Sequence, residues 1–334
     1  MKVIAIEEHF LTAETQRAWQ QAGLDLIDPG VRSHSADIDR RLLELADERI
    51  ALMDESGVDV QVLSLTTPAL HDLGSQSIAI AQRANDAMAE AAARYPGRFQ
   101  GLATLAVSSP EQAALEFERC VNTLGFKGAM LCGRVGDKNL DASELLPIFQ
   151  VAHSLAVPLL LHPRTPAQPV RDAYYAGFNS EIDAVLASYG LGWHYDAGMQ
   201  FIRLLLAGHF DAMPGLQIIL GHWGEVVLFF YERLTALNRV SGLEHEVAHY
   251  FHHNLYVTAS GMFLPHYLAR AASIVGEDRL LFSTDYPYQY RPGGDARRFI
   301  QQCGLDEEGQ SKFASANWLR LTRLPSPPAL AAAP

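Results

Sequence analysis

The chain has 334 residues, 49% hydrophobic and 19% charged, which is enough apolar side chain for a large buried core and excludes wholesale disorder. A formal net charge of −12 argues against a nucleic-acid binder and against docking on anionic membranes, so neither partner is expected. Three cysteines, Cys120, Cys132 and Cys303, stand far apart with no Cys-x-x-Cys pair, and no apolar run is long enough for a signal-peptide core or a bilayer span, so the expected location is the cytoplasm.

In chain order, eight short apolar runs read as strands: residues 2–6, 58–65, 99–105, 127–131, 157–161, 216–220, 255–258 and 279–282. Most lack polar alternation, the pattern of parallel strands covered on both faces. Helical patterns lie between them. One spans 77–94 and stops before Pro96-Gly97; another spans 109–124, with Ser109 as cap ahead of Pro110 in the first turn. Parallel strands need crossovers, and eight β/α units fit the size of a single (β/α)8 TIM barrel, over residues 1–324. A doubly wound open sheet is the alternative, but no Gly-x-Gly-x-x-Gly follows the first strand. Two intervals, 11–41 after strand one and 165–192 after strand five, are too long for simple connections and read as insertions on the active-site face. The Pro/Ala stretch 325–334 reads as a disordered tail.

The strand ends carry the chemistry. Strand one ends in Glu7-Glu8-His9, strand five in His162-Pro163-Arg164, strand six in Gly221-His222 with Gly224-Glu225, and strand eight in Ser283-Thr284-Asp285. Strand alternation sends Glu7 and His9 one way and Glu8 the other. Converging at the barrel mouth, Glu7, His9, His162 and Asp285 offer two carboxylates and two imidazoles, a donor set suited to one divalent ion, Zn²⁺ or Mn²⁺ with Mg²⁺ also admissible. His153, His194, His209, His245, His249, His252, His253 and His266 read as surface or core residues.

These motifs, with Tyr286-Pro287, Arg49-Ile50-Ala51-Leu52-Met53-Asp54 and Trp193, resemble the decarboxylase branch of the amidohydrolase superfamily, which includes the γ-resorcylate, 2,3-dihydroxybenzoate, 5-carboxyvanillate and aminocarboxymuconate semialdehyde decarboxylases. The opening Glu-x-His distinguishes that branch from members that begin His-x-His. The resemblance implies metal ligation by Glu7, His9, His162 and Asp285. It further implies that His222, oriented by Glu225, is the acid/base group, with Asp285 a second proton carrier. Arg49 and Arg233 match carboxylate-binding positions, the second reaching into a neighbouring subunit, so a homodimer or dimer of dimers is expected. Arg164, beside His162, is a further candidate for an anionic substrate, and Trp193, Tyr286, Tyr288 and Tyr290 offer flat surface for a ring. Asp196 departs from the glutamate usual at its position. The implied reaction is non-oxidative loss of CO2 from a hydroxylated aromatic or conjugated carboxylic acid, without an organic cofactor. The alternative on the same site is metal-dependent hydrolysis of a lactone, ester or amide.

Overall fold

Every apolar run forms a strand: β1 Ile4–Phe10, β2 Val60–Leu65, β3 Phe99–Gly101, β4 Ala129–Cys132, β5 Leu159–His162, β6 Ile218–Leu220, β7 Leu255–Thr258 and β8 Leu280–Leu281. The computed structural model describes residues 1–323, so the expected tail at 325–334 lies outside the described residues. All strand pairs are parallel, in the orders β1-β2-β3 and β4-β5-β6-β7-β8. Parallel bridges Ala103↔Ala129 and Glu8↔Tyr286 close both seams between these groups. At the second seam the Ile6 N–H donates to Phe282 O at 3.0 Å and the His9 N–H to Tyr286 O at 2.8 Å. The result is the expected (β/α)8 TIM barrel. Its strands have no solvent face, and β1, β2, β4, β5, β6 and β7 are buried at every position. That double coverage explains their unbroken apolar character.

Strand β1 continues through Glu7-Glu8-His9 to Phe10, four residues past the apolar run that stops at Ile6. Glu7, Glu8 and His9 are polar yet fully buried. The β1–β2 register also slips between Ala5 and Glu8, so β1 carries an extra residue at the rim. Bulges of this kind re-aim side chains beside barrel sites. The helix expected at 77–94 is Ser77–Arg94, burying Ile80, Ala84, Met88 and Ala91 at helical spacing. The next is Pro110–Asn122; Ser109 makes no side-chain capping bond, and the proline in the first turn sets the start without it.

Both long intervals fold over the barrel mouth. The first holds helices Ala13–Gln21, Leu24–Ile27, Pro29–Arg32 and Ala36–Leu43; the second holds Gln168–Tyr174 and Ser180–Ala187. They meet where Trp193, at the start of helix Gly192–Leu206, packs on Gly30 so closely that a Cβ there would lie 2.7 Å from the indole. Among the described residues no helix is long and apolar enough to cross a membrane.

Candidate active site

Glu7, His9, His162 and Asp285 come together at the C-terminal ends of β1, β5 and β8, with one donor atom from each within 4.8 Å of the others. Glu7 Oε1 lies 3.7 Å from His162 Nε2, and His9 Nε2 lies 3.3 Å from Asp285 Oδ1. The outer atoms of each group are already engaged. The His162 Nδ1–H donates to Pro163 O at 2.8 Å, so Nε2 presents its lone pair inward. His9 Nδ1 faces Ser64 Oγ at 3.2 Å. Glu7 Oε2 accepts from Thr258 Oγ1 at 2.8 Å and from Ser260 Oγ. Glu7 Oε1 and His9 Nε2 are left buried with no hydrogen-bond partner. Gly221 makes room for the Glu7 carboxylate, since a Cβ there would sit 2.8 Å from Oε1.

The electrostatics of this cluster match its geometry. Burial lowers His9 to about 4 and His162 to about 3, keeping both imidazoles neutral, the form that donates a lone pair. Burial raises Asp285 to about 7 against the pull of His222, so this carboxylate lacks a sufficient positive partner. Two neutral imidazoles and two carboxylates, with buried donor atoms aimed at one point, fit a divalent cation.

Beside them sits a second cluster. His222 Nδ1 is 3.0 Å from Glu225 Oε1, and His194 Nδ1 is 2.7 Å from Glu225 Oε2. The turn that holds them is strained: His222, Trp223 and Glu225 have φ of 47°, 57° and 54°, and Asp285 across the mouth has 57°. Left-handed conformations of non-glycine residues concentrate at functional sites. Burial opposes the charged form of His222, but Glu225, then Glu7 and Asp285, outweigh it and push His222 up to about 10. Burial likewise opposes the Glu225 carboxylate, yet His222 and His194 hold it down at about 2. His194 was read from sequence as an ordinary surface or core residue, because its partner lies 31 positions away. His34, from the first insertion, also went unread; its Nε2 is 2.9 Å from the Tyr288 hydroxyl.

Both clusters open into a cavity of about 770 Å³, lined by His162, His222, Asp285, Trp193 and Tyr288 among others. The remaining sequence candidates lie elsewhere. Arg49 is fully buried behind β1, where Nε donates to Gln61 Oε1 at 2.7 Å and Nη1 to His9 O at 2.8 Å. Nε and Nη1 are thus engaged behind the strand and Nη2 has no partner there, so Arg49 does not line the cavity where the resemblance implies a carboxylate-binding role. Arg164 pairs with Asp72 and donates to Arg134 O at 2.8 Å, outside the cavity lining. Arg233 is exposed on helix Tyr231–Leu234 with no ion pair among the described residues. Tyr286 stacks under Arg49, 4.4 Å from guanidinium carbon to ring centre, and Tyr290 donates to Glu55, so neither lines the cavity. Asp196 faces Arg134 at 3.4 Å, also outside it.

Residues 9–323 match the family model described as amidohydrolase. The γ-resorcylate decarboxylase of Polaromonas sp. strain JS666 is 37% identical over 96% of this chain and 98% of its own length. A solved 5-carboxyvanillate decarboxylase from Novosphingobium aromaticivorans, complexed with manganese and 4-hydroxy-3-methoxy-5-nitrobenzoic acid, superposes with a TM-score of 0.88 at 31% identity, covering 97% of this chain and 96% of that one. A dihydroxybenzoic acid decarboxylase from Polaromonas sp. JS666, with manganese and the inhibitor 2-nitroresorcinol, gives a TM-score of 0.82 at 32% identity, covering 96% of each chain.

Proposed function

The chain belongs to the amidohydrolase family, and from that premise we propose that it is a metal-dependent carboxy-lyase acting on a hydroxylated aromatic or conjugated carboxylic acid. The observation that carries this reading is the convergence of four buried donor groups with a partnered histidine, His222, on one cavity. The similarity to decarboxylases of resorcylate and carboxyvanillate supports the substrate class. Manganese in two of those relatives supports a divalent ion of the same kind.

Glu7, His9, His162 and Asp285 would hold the ion. When bound, it supplies Lewis-acid and template chemistry to a hydroxyl or carboxylate oxygen of the substrate. Trp193 and Tyr288 form the walls against which a planar ring packs. Glu225 keeps His222 charged, so the imidazolium enters turnover holding a proton, and Asp285 faces the same cavity as a second acid–base group. Transfer of that proton to the carboxyl-bearing carbon forms a C–H bond and interrupts conjugation. The bond to the carboxylate then breaks, CO2 leaves, and its electron pair restores the ring. The substrate's own conjugated system accepts the electrons, so no organic cofactor is required.

The carboxylate of such an acid needs a cation, and Arg233 is the sequence candidate still free to serve. It sits just past Phe229 and Phe230, which are 77% and 44% exposed, an apolar patch suited to a second copy of the chain. A homodimer, or a dimer of dimers, would cover this patch and bring Arg233 toward a neighbouring cavity.

The test is a panel of hydroxylated benzoates and muconate-like acids, given to metal-loaded protein in deuterium oxide and read by NMR. The expected result is release of CO2, with one deuterium at the vacated carbon. Cleavage of lactones or esters in a parallel panel, with no CO2 from any acid, would overturn the carboxy-lyase reading in favour of hydrolysis.

A further inference from the structure

We propose that His194 is a positioning residue for His222, acting through Glu225; the inference rests on the reading of His222 as the proton carrier. One buried carboxylate is shared by two imidazoles. Glu225 has no side-chain exposure, and its two oxygens face His222 Nδ1 at 3.0 Å and His194 Nδ1 at 2.7 Å. The two rings meet edge to face, 4.6 Å between centres.

With His222 alone, the carboxylate could rotate about its last side-chain bond, and Oε2 would be buried without a donor, which is costly. A second donor on Oε2 fixes the carboxylate plane. That in turn fixes the direction from which Oε1 meets His222, and so the ring that lines the cavity. His194 is itself held at both ends, since its Nε2 lies 3.3 Å from Tyr189 O. Both nitrogens face oxygen acceptors, so the ring serves here as a donor.

The local helix gives no separate reason for this residue. His194 is the third residue of helix Gly192–Leu206, and the first turn of a helix favours acceptors and negative charge over another donor. Trp193 and His194 both border the cavity, so the same helix start delivers a wall residue and the brace beside His222. The helix that follows the second insertion thereby completes the acid–base pair built on the strained turn after β6.

The experiment compares His194→Leu, which removes the donor, with His194→Asn, whose side-chain N–H occupies the place of Nδ1–H. In metal-loaded protein His194→Leu should lower kcat about tenfold or more while KM stays within about twofold, and His194→Asn should restore most of the loss. The double variant His194→Leu/Glu225→Gln should be no slower than Glu225→Gln alone, because the two changes remove one arrangement. Independently of turnover, the His222 Nδ1–H resonance in ¹⁵N-histidine-labelled protein should move or vanish in His194→Leu and persist in His194→Asn. Unchanged kcat and resonance in His194→Leu, additive losses in the double variant, or equal losses with Leu and Asn would each overturn the inference. His194→Ala replaces the leucine variant if circular dichroism shows that it does not fold. If no acid in the panel is turned over, the carboxy-lyase reading fails while the resonance still decides this one.

Discussion

Strand β1 builds two buried polar clusters, one on each side, and they differ in how they end. On the cavity side Glu7 and His9 join His162 and Asp285, and two of their donor atoms have no partner. On the other side Glu8 accepts from the Thr284 N–H at 2.7 Å, from the Thr284 hydroxyl and from Gln61 Nε2 at 3.1 Å. Gln61 in turn accepts from Arg49, which reaches on to His9 O and lies over Tyr286. The second cluster clamps β1 to β2 and to the turn after β8, and the atoms it leaves without a partner, Arg49 Nη2 and the Tyr286 hydroxyl, belong to or lie against a guanidinium charge that repels a cation. The first stays open toward one point. Buried polar groups demand partners, and the atoms left over on the cavity side are a carboxylate oxygen and an imidazole nitrogen, lone-pair donors that a cation can satisfy.

Four variants can break or sharpen this contrast. The largest effect is expected from His162→Ala, which should abolish divalent-ion binding while the metal-free protein keeps its melting temperature. Residues at the barrel mouth lie outside the stabilising layers, so only the ion should be lost. Mass spectrometry of metal content and a thermal melt check both halves. Next, Arg49→Met should destabilise the protein by about 3–5 kcal/mol, because it strands the partners of a buried charge, and should leave ion binding by the folded fraction intact. A chemical denaturation curve measures the first and a metal titration the second. An unchanged curve with a raised KM would return Arg49 to the substrate. Third, His222→Asn should retain the ion but lose turnover by roughly a hundredfold or more, the usual scale for a general acid.

The smallest effect is a slope with pH. The folded value of His222, about 10, lies above its ordinary 6.5, so the native state binds the extra proton between those limits. The stability it contributes is fully present below pH 6.5 and is lost as pH rises toward 10. Glu225→Gln removes the carboxylate that holds His222 charged, so its melting temperature should fall less steeply over that range than the parent's. Parallel melting curves for the two proteins would contradict the pairing.

The barrel was legible because burial on both faces makes parallel strands continuous apolar runs, and all eight runs became strands. The apolar run of β1 stops short of the strand's end for the complementary reason: Glu7, Glu8 and His9 stay in the strand although polar, since their partners come from β2, β7 and the turn after β8. The four donor residues could be picked out because each ends a strand and barrel ends converge. The arginines could not be assigned from sequence. A guanidinium reads the same whether its acceptor is a substrate or a carbonyl, and Arg49 found His9 O while Arg164 found Asp72. His194 was hidden further, at the start of a helix beyond a long insertion, where no local spacing links it to Glu225. Only the three-dimensional path of that insertion brings them together.

The contrast between these two clusters is tested most directly by anomalous diffraction from crystals grown with manganese. The account predicts one ion per chain, within bonding distance of Glu7, His9, His162 and Asp285, and none beside Glu8 and Arg49. An ion held instead by His194, His222 and Glu225, or no ion at either cluster at full loading, would contradict it.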